Sequence, residues 1–207
     1  MRKKFPYKVH KHPFGVKEYA CESAFTPEEI EGSINHLEQK YFSVGNLEPD
    51  VPGYQTPYND GLLDQKGFEK LRSTFLECAR NYMNRPHLIK DFDEEKYDLF
   101  GWCYLNWKSS PRNGESRQWH IHNIFNPNSF SAILYLKLPK KTGGETVFRI
   151  GGNEFELPSN ELRWFLFPSN YIHAPGAPGD DSDEKRYVLS IDFWMYDDTG
   201  TGNGFLD

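Results

Sequence analysis

Trp119-His120-Ile121-His122-Asn123, with its continuation to Phe148, is the stretch from which the fold of this chain is read. Side chains alternate across an extended backbone, so His120 and His122 face the same way. The apolar run over 130–138 reads as a strand. A third histidine, His173, comes after a strand-like run and a turn, in Phe167-Pro168-Ser169-Asn170-Tyr171-Ile172-His173. Another strand then opens at Lys185-Arg186-Tyr187-Val188, with Arg186 at its head. Neutral imidazoles suit iron, copper, nickel and zinc. An arginine offers a planar fork to a carboxylate and stays charged at any working pH. A metal facing a bound dicarboxylate uses both.

On either side of this stretch, the period-2 pattern begins at Tyr97 and gives further strands over 99–107, 145–150, 154–157, 162–167 and 187–196. Turns at Asn113-Gly114, Gly143-Gly144, Gly151-Gly152 and over 176–183 separate them. Short strands between Gly/Pro turns point to a sandwich or barrel. Upstream the period is helical. Thr26-Pro27-Glu28-Glu29 is a capping box with proline in the first turn, opening a helix to about Tyr41 that buries Ile30, Ile34, Leu37 and Tyr41. A second helix over 66–84 puts Phe68, Leu71, Phe75, Cys78, Ala79 and Met83 on one side, and Pro86 stops it. Residues 49–60 read as a loop whose Tyr54 and Tyr58 are packed. The expected fold is mainly β (α+β), one domain over 1–207: an N-terminal arm and supporting helices over 1–96, a β core over 97–196, and a tail over 197–207.

Composition excludes several classes. The 207 residues carry 24 Lys and Arg against 30 Asp and Glu, a net charge of −6, so no overall basic field argues for a nucleic-acid partner. The basic start, MRKKFPYKVHKH, reads as a solvated arm. No run of about 18 apolar residues supports a membrane span, and no apolar core succeeds the basic N-terminus as in a secretory signal. Cys21, Cys78 and Cys103 share no close spacing, the pattern of reduced thiols in a cytoplasmic protein. Neither a phosphate-binding Gly-Lys-Ser/Thr loop nor a Gly-x-Ser-x-Gly elbow occurs.

Gly143-Gly144-Glu145-Thr146-Val147-Phe148 after Tyr135-Leu136-Lys137, then Phe167-Pro168-Ser169 before His173, then Arg186 with Ser190, form an ordered set. Over roughly residues 99–194, about half of the chain, this set resembles the 2-oxoglutarate- and iron(II)-dependent oxygenases of the prolyl-hydroxylase type. The resemblance implies a double-stranded β-helix (jelly roll) core, Fe(II) as the metal and 2-oxoglutarate as co-substrate. His120 and His173 match the first and last ligands of the family's His-x-Asp…His triad. His122 stands where the family has aspartate, as in a His-x-His subfamily, and is taken as the third ligand. Asp192 shares the strand face of Arg186 and Ser190 by parity and is the nearby carboxylate that would otherwise fill that place. Arg186, with Ser190 and Tyr135, matches the 2-oxoglutarate site.

The expected activity is therefore oxidation of an unidentified small-molecule or peptide substrate, with release of succinate and CO2. Two other readings stay open: a three-histidine cupin-type dioxygenase without co-substrate, and a non-catalytic jelly-roll binding module. Against these stand plainer assignments. His10, His12, His36 and His87 read as surface residues, and Trp119, Tyr104 and Phe125 as pocket wall or core. The plain alternative for Arg186 is an exposed ion pair with Asp183 or Glu184.

Overall fold

A computed structural model of the protein describes residues 7–48, 54–83, 97–107, 119–122, 129–139, 144–158, 160–176 and 184–195. The helix-stop at Pro86, the Asn113-Gly114 turn, His87, Phe125 and the 197–207 tail lie outside them.

The central element is β10 (Arg186–Met195), paired antiparallel with β4 (Tyr97–Asn106) on one side and β5 (Ser129–Lys137) on the other. Its alternation explains both layers of the protein. Tyr187, Leu189, Ile191, Phe193 and Met195 face one way into the larger apolar core, while Val188 packs into a second core on the opposite face. Arg186, Ser190 and Asp192 share that second face by parity.

Helices cover the first face. In α1 (Pro27–Leu37) the expected capping box is formed: Glu29 N–H donates to Thr26 Oγ1 at 3.3 Å, and Thr26 N–H donates to Glu29 Oε2 at 2.8 Å. The winding changes at its end, where Glu38–Phe42 continues as a π-turn that buries Tyr41 and Phe42. Next comes α2 (Glu69–Met83), which buries Leu71, Phe75, Cys78 and Ala79. Phe75 meets Phe193 and Trp164 with ring centroids 6.1 and 5.3 Å apart. Fully burying one such ring stabilises the fold by about 1.5–3 kcal/mol.

The large sheet has seven strands in the order β1-β2-β8-β5-β10-β4-β3, where β8 is Arg163–Pro168. Three of them come from the N-terminal part that the sequence assigned to an arm, helices and a loop: β1 (Lys8–Lys11), β2 (Lys17–Ala20) and β3 (Tyr54–Gln55). Over Lys8–Lys11 the basic arm is exposed, as expected, but it is also sheet-paired. All four residues of β1 are exposed, so no apolar alternation betrays it, and its lysines blunt a sheet edge. His12 is likewise more than a surface residue, since its Nε2 lies 2.7 Å from buried Glu18. His36 pairs with Gln65 at 2.8 Å.

A second sheet, in the order β7-β6-β9, consists of β7 (Asn153–Glu156), β6 (Val147–Ile150) and β9 (Ile172–Ala174), all antiparallel. Between the sheets lie Ile133, Tyr135, Phe148, Phe165, Phe167 and Val188. Phe148 and Phe167 meet edge to face at 4.7 Å. The result is a mainly β fold with few helices. Among the described residues, no helix is long and apolar enough to cross a membrane.

Candidate metal centre

His173 sits on β9 rather than in the turn expected from its prolines. Its backbone exchanges both hydrogen bonds with His120, N–H to O at 2.9 and 3.0 Å, as a directly opposed antiparallel pair does. Cross-strand partners project from the same face, and His122 does so by parity with His120. The three imidazoles thus converge: their centroids are 4.4, 4.8 and 5.1 Å apart and one donor atom from each lies within 4.8 Å of the others. This is a group that can hold a metal ion.

The protons on the rings point to the same conclusion. His173 Nδ1 lies 2.9 Å from the Tyr171 carbonyl, which can only accept. His122 Nδ1 lies 2.9 Å from the Asp192 carboxylate, which accepts as well. Each Nδ1 therefore carries a proton, and in a neutral ring the Nε2 presents a lone pair. Those two Nε2 atoms are 3.0 Å apart. In two neutral rings, lone pairs at that distance repel unless a proton or a metal ion lies between them. Burial, followed by the neighbouring His122 and His120, holds His173 well below the ordinary imidazole range, so His173 itself is neutral and available as a ligand. Neutral imidazole nitrogens ligate metals at about 2.0–2.1 Å, and this pair is close enough to share one.

Asp192 does not point a free carboxylate at the donors. It is 2% exposed and lies behind His122, accepting from Ser131 Oγ at 2.7 Å and from Tyr58 OH at 3.2 Å as well as from the ring. Burial and the Asp192 charge push the Tyr58 phenol up from its ordinary value, so it stays a donor.

Next to the histidines is a cavity of about 470 Å³, lined in part by Tyr58, Trp102, Tyr104, Trp119, Arg186 and Ser190. Arg186 is fully buried, which removes the exposed ion pair as an account of it. Its NH1 donates one long bond to Asn106 Oδ1 at 3.4 Å, its Nε has no partner, and its Cζ stands 5.3 Å from the Tyr135 ring centroid. No carboxylate lies within ion-pair distance of it among the described residues. Burial lowers its pKa, against the opposing pull of Tyr135, but a guanidinium keeps its charge. The arginine also accounts for Gly144. Gly144 has φ +92° and a Cβ there would stand 3.0 Å from Arg186 Cδ, so only glycine lets the backbone cross the arginine. Tyr135 OH lies 3.2 Å from Thr146 Oγ1 and accepts from Thr146 N–H at 2.9 Å. Arg186 and Ser190 both line the cavity, and the β5–β10 register is irregular between Tyr187 and Val188, where Leu136 is skipped.

Sequence reasoning did not assign Tyr58, Ser131, Ser169 or Trp102 to the site. Ser131 left one signal, a polar residue inside an apolar strand. Tyr58 left only its place in an aromatic loop of the kind that often lines a pocket, because its partner Asp192 is 134 residues away.

No family model matches this sequence, and no curated protein matches it. Solved structures do match. A Pseudomonas putida prolyl-4-hydroxylase is 14% identical, with 88% of this chain and 94% of that one covered at a TM-score of 0.57. HygX from Streptomyces hygroscopicus, solved with nickel and 2-oxoglutarate bound, is 13% identical over 93% and 92% at 0.57. EvdO2 from Micromonospora carbonacea var. aurantiaca, complexed with 2-oxoglutarate, is 15% identical over 92% and 94% at 0.58. At these identities the likeness is one of fold.

Proposed function

We propose that this protein is an Fe(II)- and 2-oxoglutarate-dependent oxygenase built on a single double-stranded β-helix domain. One observation carries the reading: a cluster of three histidines with two facing Nε2 lone pairs shares a cavity with a buried arginine whose Nε is unpartnered. A metal and a carboxylate of one bound molecule complement those two features. The solved structures of like fold that hold nickel and 2-oxoglutarate, or 2-oxoglutarate, support the choice of ligand.

In this reading His120, His122 and His173 hold the iron. Arg186 pairs with the distal carboxylate of 2-oxoglutarate, with Ser190 and Tyr135 beside it. Iron and 2-oxoglutarate, when bound, supply the activation of O2 that couples decarboxylation to succinate and CO2 with substrate oxidation. The protein's own part is positioning and exclusion of water. Asn106 and Tyr135 orient the guanidinium, and Trp102 walls His122 with ring centroids 5.5 Å apart. Trp119, under the Arg149 guanidinium at 4.1 Å, forms part of the cavity lining where an unidentified small molecule or peptide would approach. Three buried cysteines without disulfides favour a reducing, cytoplasmic location.

The all-histidine donor set also suits a three-histidine dioxygenase without co-substrate, which leaves Arg186 idle. Anaerobic loading with Fe(II), then thermal melts with and without 2-oxoglutarate, separates the readings. The expected result is one iron per chain and a 2-oxoglutarate-induced rise in Tm that requires the metal. Iron without that rise favours the co-substrate-free enzyme, and neither favours a binding module.

A further inference from the structure

Asp192 is buried among three donors, none of them a lysine or arginine. Its contacts are Ser131 Oγ at 2.7 Å, Tyr58 OH at 3.2 Å and His122 Nδ1 at 2.9 Å, and no lysine or arginine lies within ion-pair distance among the described residues. A buried carboxylate is favoured by a nearby cation, and a metal ion on His122 would supply that charge one ring away. The His122 Nε2, which faces the His173 Nε2 at 3.0 Å, is where that ion would bind.

The carboxylate is held from three directions. Ser131 stands directly opposite Asp192 in the β5–β10 register, and Tyr58 reaches in from the segment after β3, stacked on Phe100 at 5.0 Å. Ser131 Oγ also lies 3.1 Å from Ser169 Oγ, and the Ser169 carbonyl accepts the His122 backbone N–H at 3.0 Å. One polar network thus fixes both the ring and the main chain of His122.

We propose that Asp192 is a positioning residue of the metal centre. It sets the Nδ1–H tautomer of His122, aims Nε2 at the metal, and supplies from behind the ring the negative charge that a carboxylate ligand would have placed on the metal itself. A carboxylate accepting an imidazole N–H raises the basicity of the ligating nitrogen. The centre then has three imidazole donors in contact and one anionic charge a ring away. This inference rests on the metal reading above, and its test separates the two.

The test uses the full chain without 2-oxoglutarate, with Zn(II) and Co(II) alone. In ¹⁵N-histidine-labelled, Zn(II)-loaded wild type, His122 should appear protonated at Nδ1 and metallated at Nε2. Metal on Nδ1 would overturn the proposal, and this arm needs no variant to fold. In Asp192→Asn an acceptor remains but the charge is gone. The Kd for Co(II) should rise about 10- to 100-fold, as loss of such an outer partner typically does, with a shifted d–d spectrum. Wild-type Co(II) affinity and spectrum in Asp192→Asn, alongside loss of tight binding in His122→Ala, would overturn the role of Asp192 and leave the metal centre standing. Wild-type affinity in His122→Ala would overturn both.

Discussion

Replacing Arg186 by Met keeps most of the side-chain volume and removes the guanidinium. The structure sets the size of the effect. A guanidinium has five donor hydrogens, and here one makes a 3.4 Å bond to Asn106 while Nε makes none. Its desolvation is already complete in the fold, so a carboxylate arriving at it gains a charge-assisted, fork-shaped contact with little reorganisation. Truncating one side of such a desolvated pair costs about 2–5 kcal/mol, or roughly 30-fold to several-thousand-fold in affinity. The Kd of the iron-loaded protein for 2-oxoglutarate, titrated anaerobically on its metal-to-ligand charge-transfer band, should rise into that range. Iron affinity should stay within a few-fold of wild type. Arg186→Lys should recover part of the loss, because an ammonium lacks the fork. The apoprotein of Arg186→Met should melt no lower than wild type, since an unbalanced buried charge has been removed. Wild-type 2-oxoglutarate affinity in Arg186→Met would refute the assignment, and a sharp fall in apoprotein stability would recast Arg186 as a structural residue.

The same geometry sets three further outcomes. Gly144→Ala should cost about 1–2 kcal/mol of stability for its left-handed backbone and weaken 2-oxoglutarate by displacing Arg186, with metal affinity unchanged; melts and the same titration check it. His173 is held neutral in the fold by burial and by His122 and His120, whereas the unfolded chain takes up the proton near pH 6.5. A depressed folded-state pKa means that stability present above about pH 6.5 is lost as pH falls below it. Urea melts of metal-free wild type and His173→Gln from pH 8 to 5 should show that extra loss only in wild type. His122→Asp places a second carboxylate beside Asp192. Adding Asp192→Asn should tighten Co(II) binding relative to the single variant, with a coupling of roughly 0.5–3 kcal/mol, and a coupling of zero would contradict the contact.

The site was legible where strand parity governs it. Parity placed His120 with His122, and Arg186 with Ser190 and Asp192, because alternation is a property of the local backbone. The contact of Asp192 with His122 was not legible. Parity gave its face, but only the pairing of β5 with β10 and the fold of the Tyr58 segment decide that it meets His122 Nδ1 from behind. The main strands and both helices emerged from periodicity, to within a few residues at their ends. Lys8–Lys11 escaped because an edge strand exposed on every residue has no pattern. Ile172–Ala174 escaped because three residues are too few to show a period, and the prolines around it suggest a turn.

Uncoupled turnover tests the central claim most directly. The Fe(II)-loaded protein, given 2-oxoglutarate and O2 without added substrate, should form succinate slowly, with dependence on iron. His173→Ala, which removes a buried donor of the cluster, should abolish it. Iron bound at one per chain with no succinate formed, or succinate formed equally by His173→Ala, would contradict the account.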